Sequence, residues 1–343
     1  MRKARTALGV LMAVVLTSCG GTSTPASGTG EGPLTIGLVL DTLREERWQR
    51  DRDLFIARAD ELGVNVEVRS AEGDADRQTA VAEELLQEGV KVLVVVPTDL
   101  EKAAVLVAGA TARNVPVVSY DRLIRNADVA LYVSFDNVKV GRMQADALLE
   151  ARPRGNYVLL GGSPTDNNAK LVRDGQMEVL EPSLIRGAVH IVAEPWVHGW
   201  DPAVAQEQMA GVLRRTRDID AVVASNDSTA SGAIAALAAA NLDGKVAVSG
   251  QDADLAACRR IVQGTQTMTV YKPLKPLARM AAGAAVSLAK GETIDSLVKV
   301  NNGLKDVPAR LLDPIAVDKS NMDVTVISDG YHSRESVYQP AAN

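Results

Sequence analysis

Short apolar runs rich in β-branched residues alternate with longer amphipathic stretches along most of this chain. The first series of runs is LTIGLVL, VNVEV, KVLVVV and PVVSY, and the second is NYVLLGG, HIVAE, DAVVAS and KVAVSG. The amphipathic stretches predict helices over roughly 45–62, 75–88, 100–113 and 138–149. Continuous apolar strands separated by helices are typical of a parallel sheet covered on both faces. Two such series in tandem predict an α/β protein with two doubly wound lobes and a crevice between them.

The order of the elements also predicts where each lobe begins and ends. TQTMTVYKP predicts a further strand and 274–290 an Ala-rich helix, whereas the Pro-punctuated NNGLKDVPARLLDPIAVDKSNM is expected to be irregular. We assign residues 34–139 and 273–303 to the N-terminal lobe, and residues 140–272 and 304–332 to the C-terminal lobe. A chain that returns to its first lobe and crosses again forms a hinge of several connections instead of a single linker.

Polar side chains follow six of the apolar runs, where the predicted strands end. These clusters are Asp41, Asp121–Arg122, Asn167–Asn168, Trp196 with Trp200, Asn226–Asp227, and Asp252. Loops at the carboxyl ends of strands in an open α/β sheet converge on one crevice. Carboxylates, amides, an arginine and indole rings on one rim suit a small polyhydroxylated ligand, which predicts a sugar receptor. Because an Asp or Asn after a strand also commonly caps the next helix, the prediction rests on the convergence of all six clusters.

The first residues predict export. A basic start precedes an uninterrupted apolar stretch over residues 7–16, which is too short to span a bilayer but suits a secretory signal. The Leu-Thr-Ser-Cys that follows resembles a bacterial lipoprotein cleavage site, so residues 1–18 are the predicted signal peptide and Cys19 the predicted lipidation site. An ordinary signal peptide with an incidental cysteine is the alternative. Residues 19–33 are rich in Gly, Ser, Thr and Pro, and we expect a flexible tether there.

Composition narrows the class of protein. The 343 residues exceed the usual ceiling for one hydrophobic core, which agrees with two domains. A net charge of −6, with basic and acidic residues interleaved, argues against a nucleic-acid-binding surface. Cys258 is the only cysteine besides Cys19, so the body has no pair for a disulfide and a buried structural thiol is expected. The sequence carries no complete metal-ligand motif, and neither a metal nor a cofactor is predicted.

An enzyme is the main alternative from another class. The chain has three histidines, and none accompanies a G-x-S-x-G, P-loop or G-x-G-x-x-G motif. A pair of carboxylates for glycoside hydrolysis is not excluded, because sequence does not give the separation of the two groups. A transcriptional regulator would need a helix-turn-helix where the export signal lies. We therefore predict a binding protein and not an enzyme.

Eight segments carry a resemblance to a known family. ERWQRDRDLF, SYDRLI, YVSFDN, GGSPTDNNAKL, AVVASND, SGQDADL, GTQTMTVYKP and NNGLKDVPARLL occur in this order between about Leu34 and His332. Together they resemble the D-xylose-binding proteins of bacterial ABC importers, which belong to the ribose/galactose type of periplasmic binding proteins. The resemblance implies the type I fold, in which two Rossmann-like lobes joined by a three-strand hinge close over one sugar.

The resemblance also implies partners. It implies a receptor, expected to be a monomer, that captures D-xylose or a related monosaccharide and delivers it to an ABC permease. The lipid anchor at Cys19, predicted from the Leu-Thr-Ser-Cys sequence, would hold it to the outer face of the cell membrane, and it departs from the best-known members, which have a simple cleaved signal. A receptor of the same fold for ribose, glucose or galactose, with a signalling role, is the alternative. Whether a chemoreceptor also recognises the closed form is left open.

The side chains that contact the sugar follow from the same resemblance. Carried over by position, they are Arg47, Trp48, Asp121, Arg122, Asn168, Trp200, Asn226, Asp252 and Lys272. Their chemistry agrees with this role, since Trp48 and Trp200 can cover the apolar faces of a pyranose while ionic side chains bond its hydroxyls strongly. Core packing is the expected role of Trp196. Asp121 and Arg122 could instead form a structural ion pair.

Overall fold

A computed structural model describes residues 34–295 and 298–339; the predicted signal peptide, Cys19 and the tether lie outside the described residues. Its strands are β1 (Thr35–Leu40), β2 (Asn65–Ser70), β3 (Val92–Val95), β4 (Val117–Tyr120), β5 (Leu131–Phe135), β6 (Gly155–Leu160), β7 (Val189–Ala193), β8 (Ala221–Ala224), β9 (Ala247–Val248), β10 (Thr269–Tyr271), β11 (Val298–Asn301), β12 (Asp306–Leu312) and β13 (Ile315–Val317). Its helices are α1 (Glu46–Glu61), α2 (Ala75–Gln87), α3 (Ala104–Thr111), α4 (Asn137–Ala151), α5 (Asn167–Ile185), α6 (Pro202–Arg215), α7 (Asp227–Ala239), α8 (Leu255–Gln263), α9 (Leu274–Ala289) and α10 (Arg334–Tyr338).

The larger sheet belongs to the N-terminal lobe and has the order β11-β12-β5-β4-β3-β1-β2. Its neighbouring strands are parallel except β11, which is antiparallel to β12. Successive residues of β3 face different cores: Val92 and Val94 pack with α1 and α9, whereas Leu93 and Val95 pack with α2 and α3. A continuous apolar run therefore does mark a strand buried on both faces, as predicted.

The second lobe repeats this arrangement around a smaller parallel sheet of order β7-β6-β8-β9. Helices α6 and α7 cover one face, and α4 and α5 cover the other. Strands β10 and β13 form an antiparallel pair beside it. The predicted fold class, two doubly wound α/β lobes, is confirmed. Cys258 is fully buried, as expected, in the apolar cluster that also contains Ile261 and Tyr271.

The chain crosses between the lobes three times, at residues 135–137, 271–274 and 312–315. The amide of Asp136 donates to the carbonyl of Leu312 at 3.0 Å. Lys139 Nζ lies 2.6 Å from Asp313 Oδ1. The first and third crossings therefore run side by side, which restricts the lobes to hinge-like motion.

The third crossing lies later in the chain than the sequence predicted. Residues 304–332 were expected in the C-terminal lobe, but β12 pairs in parallel with β5 of the larger sheet. The stretch expected to be irregular contains both β12 and β13. Pro308 concealed β12, because proline lacks an amide hydrogen and argues against a strand interior. The boundary after residue 303 is therefore wrong, and the N-terminal lobe continues to residue 312.

Helices α4 and α5 approach each other so closely that glycine is required at the contact. A Cβ on Gly175 would overlap the carbonyl oxygen of Val138. We expect Gly175→Ala to lower the free energy of unfolding by about 1–3 kcal/mol or more, because a rigid backbone atom blocks the added methyl. Gly283→Ala in α9 is the matched control, since nothing lies within 4 Å of its Cβ position. It should stabilise by about 0.5–1 kcal/mol. Urea unfolding measures both, and equal effects would contradict this account of the contact.

Candidate functional site

A cavity lies between the two lobes, at the carboxyl ends of their strands. Its empty space, part of which is open to solvent, amounts to about 350 Å³. The residues that line it are Glu45, Arg47, Trp48, Asp121, Arg122, Asp166, Asn168, Trp200, Asn226, Gln251, Asp252 and Lys272. All nine side chains predicted from sequence are therefore on its wall. Three others, Glu45, Asp166 and Gln251, were not predicted.

Arg47 joins carboxylates from both lobes. Its guanidinium lies 3.0 Å from Asp51 Oδ2, 2.8 Å from Asp121 Oδ2 and 3.3 Å from Asp252 Oδ1. Asp51 and Asp121 belong to the N-terminal lobe, and Asp252 follows β9 of the C-terminal lobe. Burial alone would lower the pKa of Arg47, but the three carboxylates outweigh it and raise that pKa well above its ordinary value. Arg47 therefore stays charged and holds the lobes together.

Several hydrogen bonds hold the backbone of Asp121 in the site. Its φ is +60°, a left-handed conformation that is uncommon for residues other than glycine. Its carbonyl oxygen accepts hydrogen bonds from the hydroxyls of Tyr132 and Ser134 and from Asn168 Nδ2. Asp252 and Trp200 also have positive φ, at 96° and 56°. Strained backbone of this kind concentrates at sites that must aim a side chain.

Arg122 forms a second ionic bridge across the cavity wall. Its Nη1 donates to Asp41 Oδ2 at 2.6 Å, and its Nε lies 2.7 Å from Asp166 Oδ2 in the other lobe. Burial opposes the charge, but Asp166 and Asp41 raise the pKa of Arg122 above its ordinary value. The alternative of an Asp121–Arg122 ion pair finds no such bond here, because each residue has other partners.

Lys272 and two amides complete the polar wall. Lys272 Nζ lies 2.9 Å from Asp252 Oδ1 and 4.0 Å from Asp121 Oδ2. Asn226 caps α7, since its Oδ1 accepts the amide of Thr229 at 2.9 Å. Asn168 donates to Asp121 Oδ1 at 3.0 Å. Capping and cavity lining therefore coexist at Asn226, and the two interpretations weighed from sequence are compatible.

The indole rings of Trp48 and Trp200 line the same cavity, one from each lobe. Trp48 is 3% exposed and lies beneath the guanidinium of Arg47, 4.1 Å from its ring centroid. The ring of Trp200 lies against Gly162, where any Cβ would overlap it, and its Nε1 donates to Asp166 Oδ2 at 3.1 Å. Glycine is therefore required at position 162, because a side chain there would overlap the ring.

Trp196 lies elsewhere. Its half-buried ring packs against Gly161 and stands 4.9 Å from the guanidinium of Arg173. It does not line the cavity. Trp196 is therefore a packing residue, as the sequence predicted.

Asp41 and Asp227, which belong to two of the polar clusters identified in the sequence, do not line the cavity. Asp41 lies behind the wall and binds Arg122. Asp227 is buried beneath the C-terminal lobe's loops, where it accepts hydrogen bonds from Gln266 Nε2 and Thr269 Oγ1. Within residues 34–295 and 298–339, no group of three or more His, Cys, Asp or Glu side chains could hold a metal ion. In the same residues, no helix is long and apolar enough to cross a membrane.

Comparison with known proteins identifies the family. A model of the periplasmic binding protein domain matches residues 36–293. The D-xylose-binding periplasmic protein of Haemophilus influenzae is 50% identical over 96% of this chain and 99% of its own length. That of Escherichia coli is 51% identical over 88% of this chain and 92% of its own. A carbohydrate transporter solute-binding protein from Chloroflexus aurantiacus, solved with D-glucose, is 32% identical with a TM-score of 0.82, covering 88% of this chain and 98% of that one.

The chain therefore belongs to the periplasmic binding protein family and has its type I fold. The two relatives of about 50% identity are sugar-binding members of that family, which confirms the resemblance found in the sequence. These relatives are solute-binding proteins and not enzymes, in agreement with the prediction.

Removal of Arg47 tests the ionic bridge. We expect Arg47→Met to lower the free energy of unfolding by about 3–5 kcal/mol at pH 8, because buried carboxylates lose their partner. Without Arg47, burial raises the folded-state pKa of Asp121, and it raises further the pKa of Asp51, which burial already holds above its ordinary value. The folded variant then binds more protons as pH falls, so the deficit should shrink between pH 8 and pH 5.

In the wild type, the stability that depends on Asp121 should respond to pH in the opposite direction and at lower pH. Burial raises the pKa of Asp121, but Arg47 and Lys272 outweigh it and lower that pKa from 3.8. The resulting stability is present above pH 3.8 and is lost as pH falls through the folded-state pKa. Urea unfolding at several pH values measures this. The matched control is Arg52→Met on the same helix, whose exposed pair with Asp53 should contribute under about 1 kcal/mol. A pH-independent deficit in Arg47→Met would refute the ionic account.

Proposed function

We propose that this protein is an extracytoplasmic solute-binding protein that captures D-xylose between its lobes and delivers it to an ABC permease. The observation that carries the proposal is the interlobe cavity, where indole rings and ionic side chains from both lobes converge. The two D-xylose-binding relatives, similar over most of the chain, support the choice of sugar.

The chemistry of the wall suits a pyranose. Trp48 and Trp200 provide flat apolar surface for its C–H faces. Arg47, Lys272 and Asp252 offer charge-assisted hydrogen bonds, about twice as strong as neutral ones. A sugar lacking one hydroxyl would leave a buried polar group unpaired, at a cost of about 1–3 kcal/mol. Affinity should therefore depend on the position of each hydroxyl.

Binding is coupled to lobe closure in this proposal. The lobes already meet through the bond from Leu100 N to Thr165 O, at 2.9 Å, and through the Arg47–Asp252 pair. A ligand that contacts both lobes favours the closed form over an open one. The closed receptor, acting as a monomer, then presents one composite surface to the permease.

A receptor for another monosaccharide is the second candidate. The solved relative from Chloroflexus aurantiacus was crystallised with D-glucose, which has one more hydroxymethyl group than xylose. A sugar panel separates the two candidates.

The test is isothermal titration calorimetry with D-xylose, ribose, glucose, galactose and arabinose. We expect D-xylose to bind with micromolar or tighter affinity, about −8 kcal/mol or more favourable. Glucose binding with no heat from xylose would replace the assigned sugar, and no heat from any sugar would refute the function.

Two tryptophan variants form a matched pair for the same titration. Trp200→Ala should lose most of the affinity, at least about 100-fold, because a cavity-lining aromatic is removed. Trp196→Ala should bind nearly as wild type and lower the melting temperature instead. Equal losses of affinity in both variants would contradict these roles.

We also propose that Cys19 is lipidated after removal of residues 1–18 and anchors the receptor to the outer face of the cell membrane. The periplasmic relatives support export, and the Leu-Thr-Ser-Cys sequence supports the anchor. Several acyl chains on one residue suffice for stable attachment. In cells, Cys19→Ser should move the protein from the membrane fraction to the soluble fraction and abolish labelling with radioactive palmitate. Ser18→Ala is the control, and identical fractionation of all three proteins would argue for an ordinary signal peptide.

A further inference from the structure

Two of the residues that line the cavity carry a buried polar atom with no hydrogen-bond partner among the described residues. These atoms are Glu45 Oε2 in the N-terminal lobe and Gln251 Oε1 in the C-terminal lobe. The cationic side chains of the wall, by contrast, are all paired with carboxylates. A buried acceptor without a donor is costly, and its presence in a cavity indicates a donor that arrives with the ligand.

Glu45 lies at the start of α1 without serving as its cap. It occupies the N-cap position, and its side chain makes no capping hydrogen bond. Ser, Thr, Asp and Asn are the side chains that commonly accept backbone amides from this position. Glu45 lines the cavity, and its side chain is only 10% exposed.

Arg44 holds this carboxylate in place. Its Nη2 donates to Glu45 Oε1 at 2.6 Å and also to the carbonyl of Gly199 at 2.6 Å. Its Nη1 lies 3.6 Å from Asp201 Oδ2. Gly199 and Asp201 flank Trp200 in the opposite lobe. Arg44 thus binds one carboxylate oxygen of Glu45 and also contacts the opposite lobe, whereas Glu45 Oε2 has no partner among the described residues.

We infer that Glu45 is a further specificity-determining residue, whose Oε2 accepts a hydrogen bond from one hydroxyl of the captured sugar. Arg44 is its positioning residue, acting through Glu45 and not on the sugar. The inference rests on the proposed function and assigns one hydroxyl of that ligand to a residue that sequence did not predict. A site built around a charged acceptor strongly rejects analogues that lack the matching hydroxyl.

The test compares how one protein variant and the removal of single sugar hydroxyls affect binding, separately and together. Glu45→Gln and wild type are titrated with D-xylose and with its 1-, 2-, 3- and 4-deoxy analogues. We expect the variant to bind D-xylose about tenfold to 100-fold more weakly, the range of a charge-assisted hydrogen bond. One analogue should bind both proteins equally, because it lacks the hydroxyl that Glu45 accepts. Any sugar that wild type binds serves in the same way.

Two further variants separate contact from positioning. Glu61→Gln makes the same chemical change on an exposed residue of α1, far from the cavity wall, and should leave every affinity unchanged. Arg44→Gln should weaken D-xylose binding less than Glu45→Gln does, with the same dependence on which hydroxyl is missing, because Arg44 acts through Glu45. In Glu45→Gln, the new amide could still accept the hydrogen bond from the sugar. The same titrations are therefore repeated with Glu45→Ala, whose melting temperature shows whether it is folded.

The outcomes are distinct. Unchanged affinity in both Glu45 variants would overturn the inference. A loss of equal size for D-xylose and all four analogues would also overturn it, since Glu45 would then act on closure or folding alone. If wild type binds no monosaccharide, the proposed function itself fails, and with it the inference.

Discussion

The bridge from Arg47 to carboxylates of both lobes is the interaction on which the closed structure depends. A buried guanidinium or a buried carboxylate alone is strongly unfavourable, and only close pairing makes either acceptable in the interior. Arg47 satisfies Asp51 and Asp121 on its own lobe and reaches Asp252 on the other. Opening the lobes would expose Asp252 and Arg47 to water, which replaces the lost bond. The ionic network is therefore compatible with both open and closed lobes, but its full set of bonds forms in only one closed geometry.

The fold brings these groups together by strand order. Asp121 follows β4, Asp252 follows β9, and Lys272 follows β10 at a crossing between the lobes. Each lies at the carboxyl end of its strand, where the helices that follow leave room for a crevice. Left-handed backbone at Asp121 and Asp252 turns their side chains away from the strand direction. Hydrogen bonds from Tyr132, Ser134 and Asn168 to the carbonyl of Asp121 hold that conformation.

Much of this was predictable from the sequence, and the failures have physical causes. Apolar runs buried on both faces give a clear pattern, so α1 and α4 end within two residues of their predicted bounds. The third helix begins at Ala104 and not near residue 100, because turns occupy the preceding positions. The strand β12 was missed because Pro308 interrupts its pattern.

Three residues of the site were not predicted, and the reason is different from that for β12. Glu45, Asp166 and Gln251 each lie within two residues of a predicted site residue, so their neighbourhood was correct. Local sequence does not tell whether a carboxylate caps a helix or faces a cavity: Asp166 does both, since it accepts the amide of Asn168 and binds Arg122 and Trp200. Glu45 sits among charged residues typical of a solvated helix face.

The charges of the wall bear on the kind of ligand that can enter. Arg47, Arg122 and Lys272 supply three positive charges, and Glu45, Asp121, Asp166 and Asp252 supply four negative charges. The three cations are paired with the aspartates and Glu45 is paired with Arg44, so a neutral polyol can enter by adding hydrogen bonds without separating any of these ion pairs. A sugar phosphate or sugar acid would add negative charge to a wall that already carries more negative than positive charges. It would also have to separate Arg47 or Lys272 from a buried carboxylate. Dense charge in this cavity is therefore a means of selecting an uncharged sugar, because the protein balances its own ions before the ligand arrives.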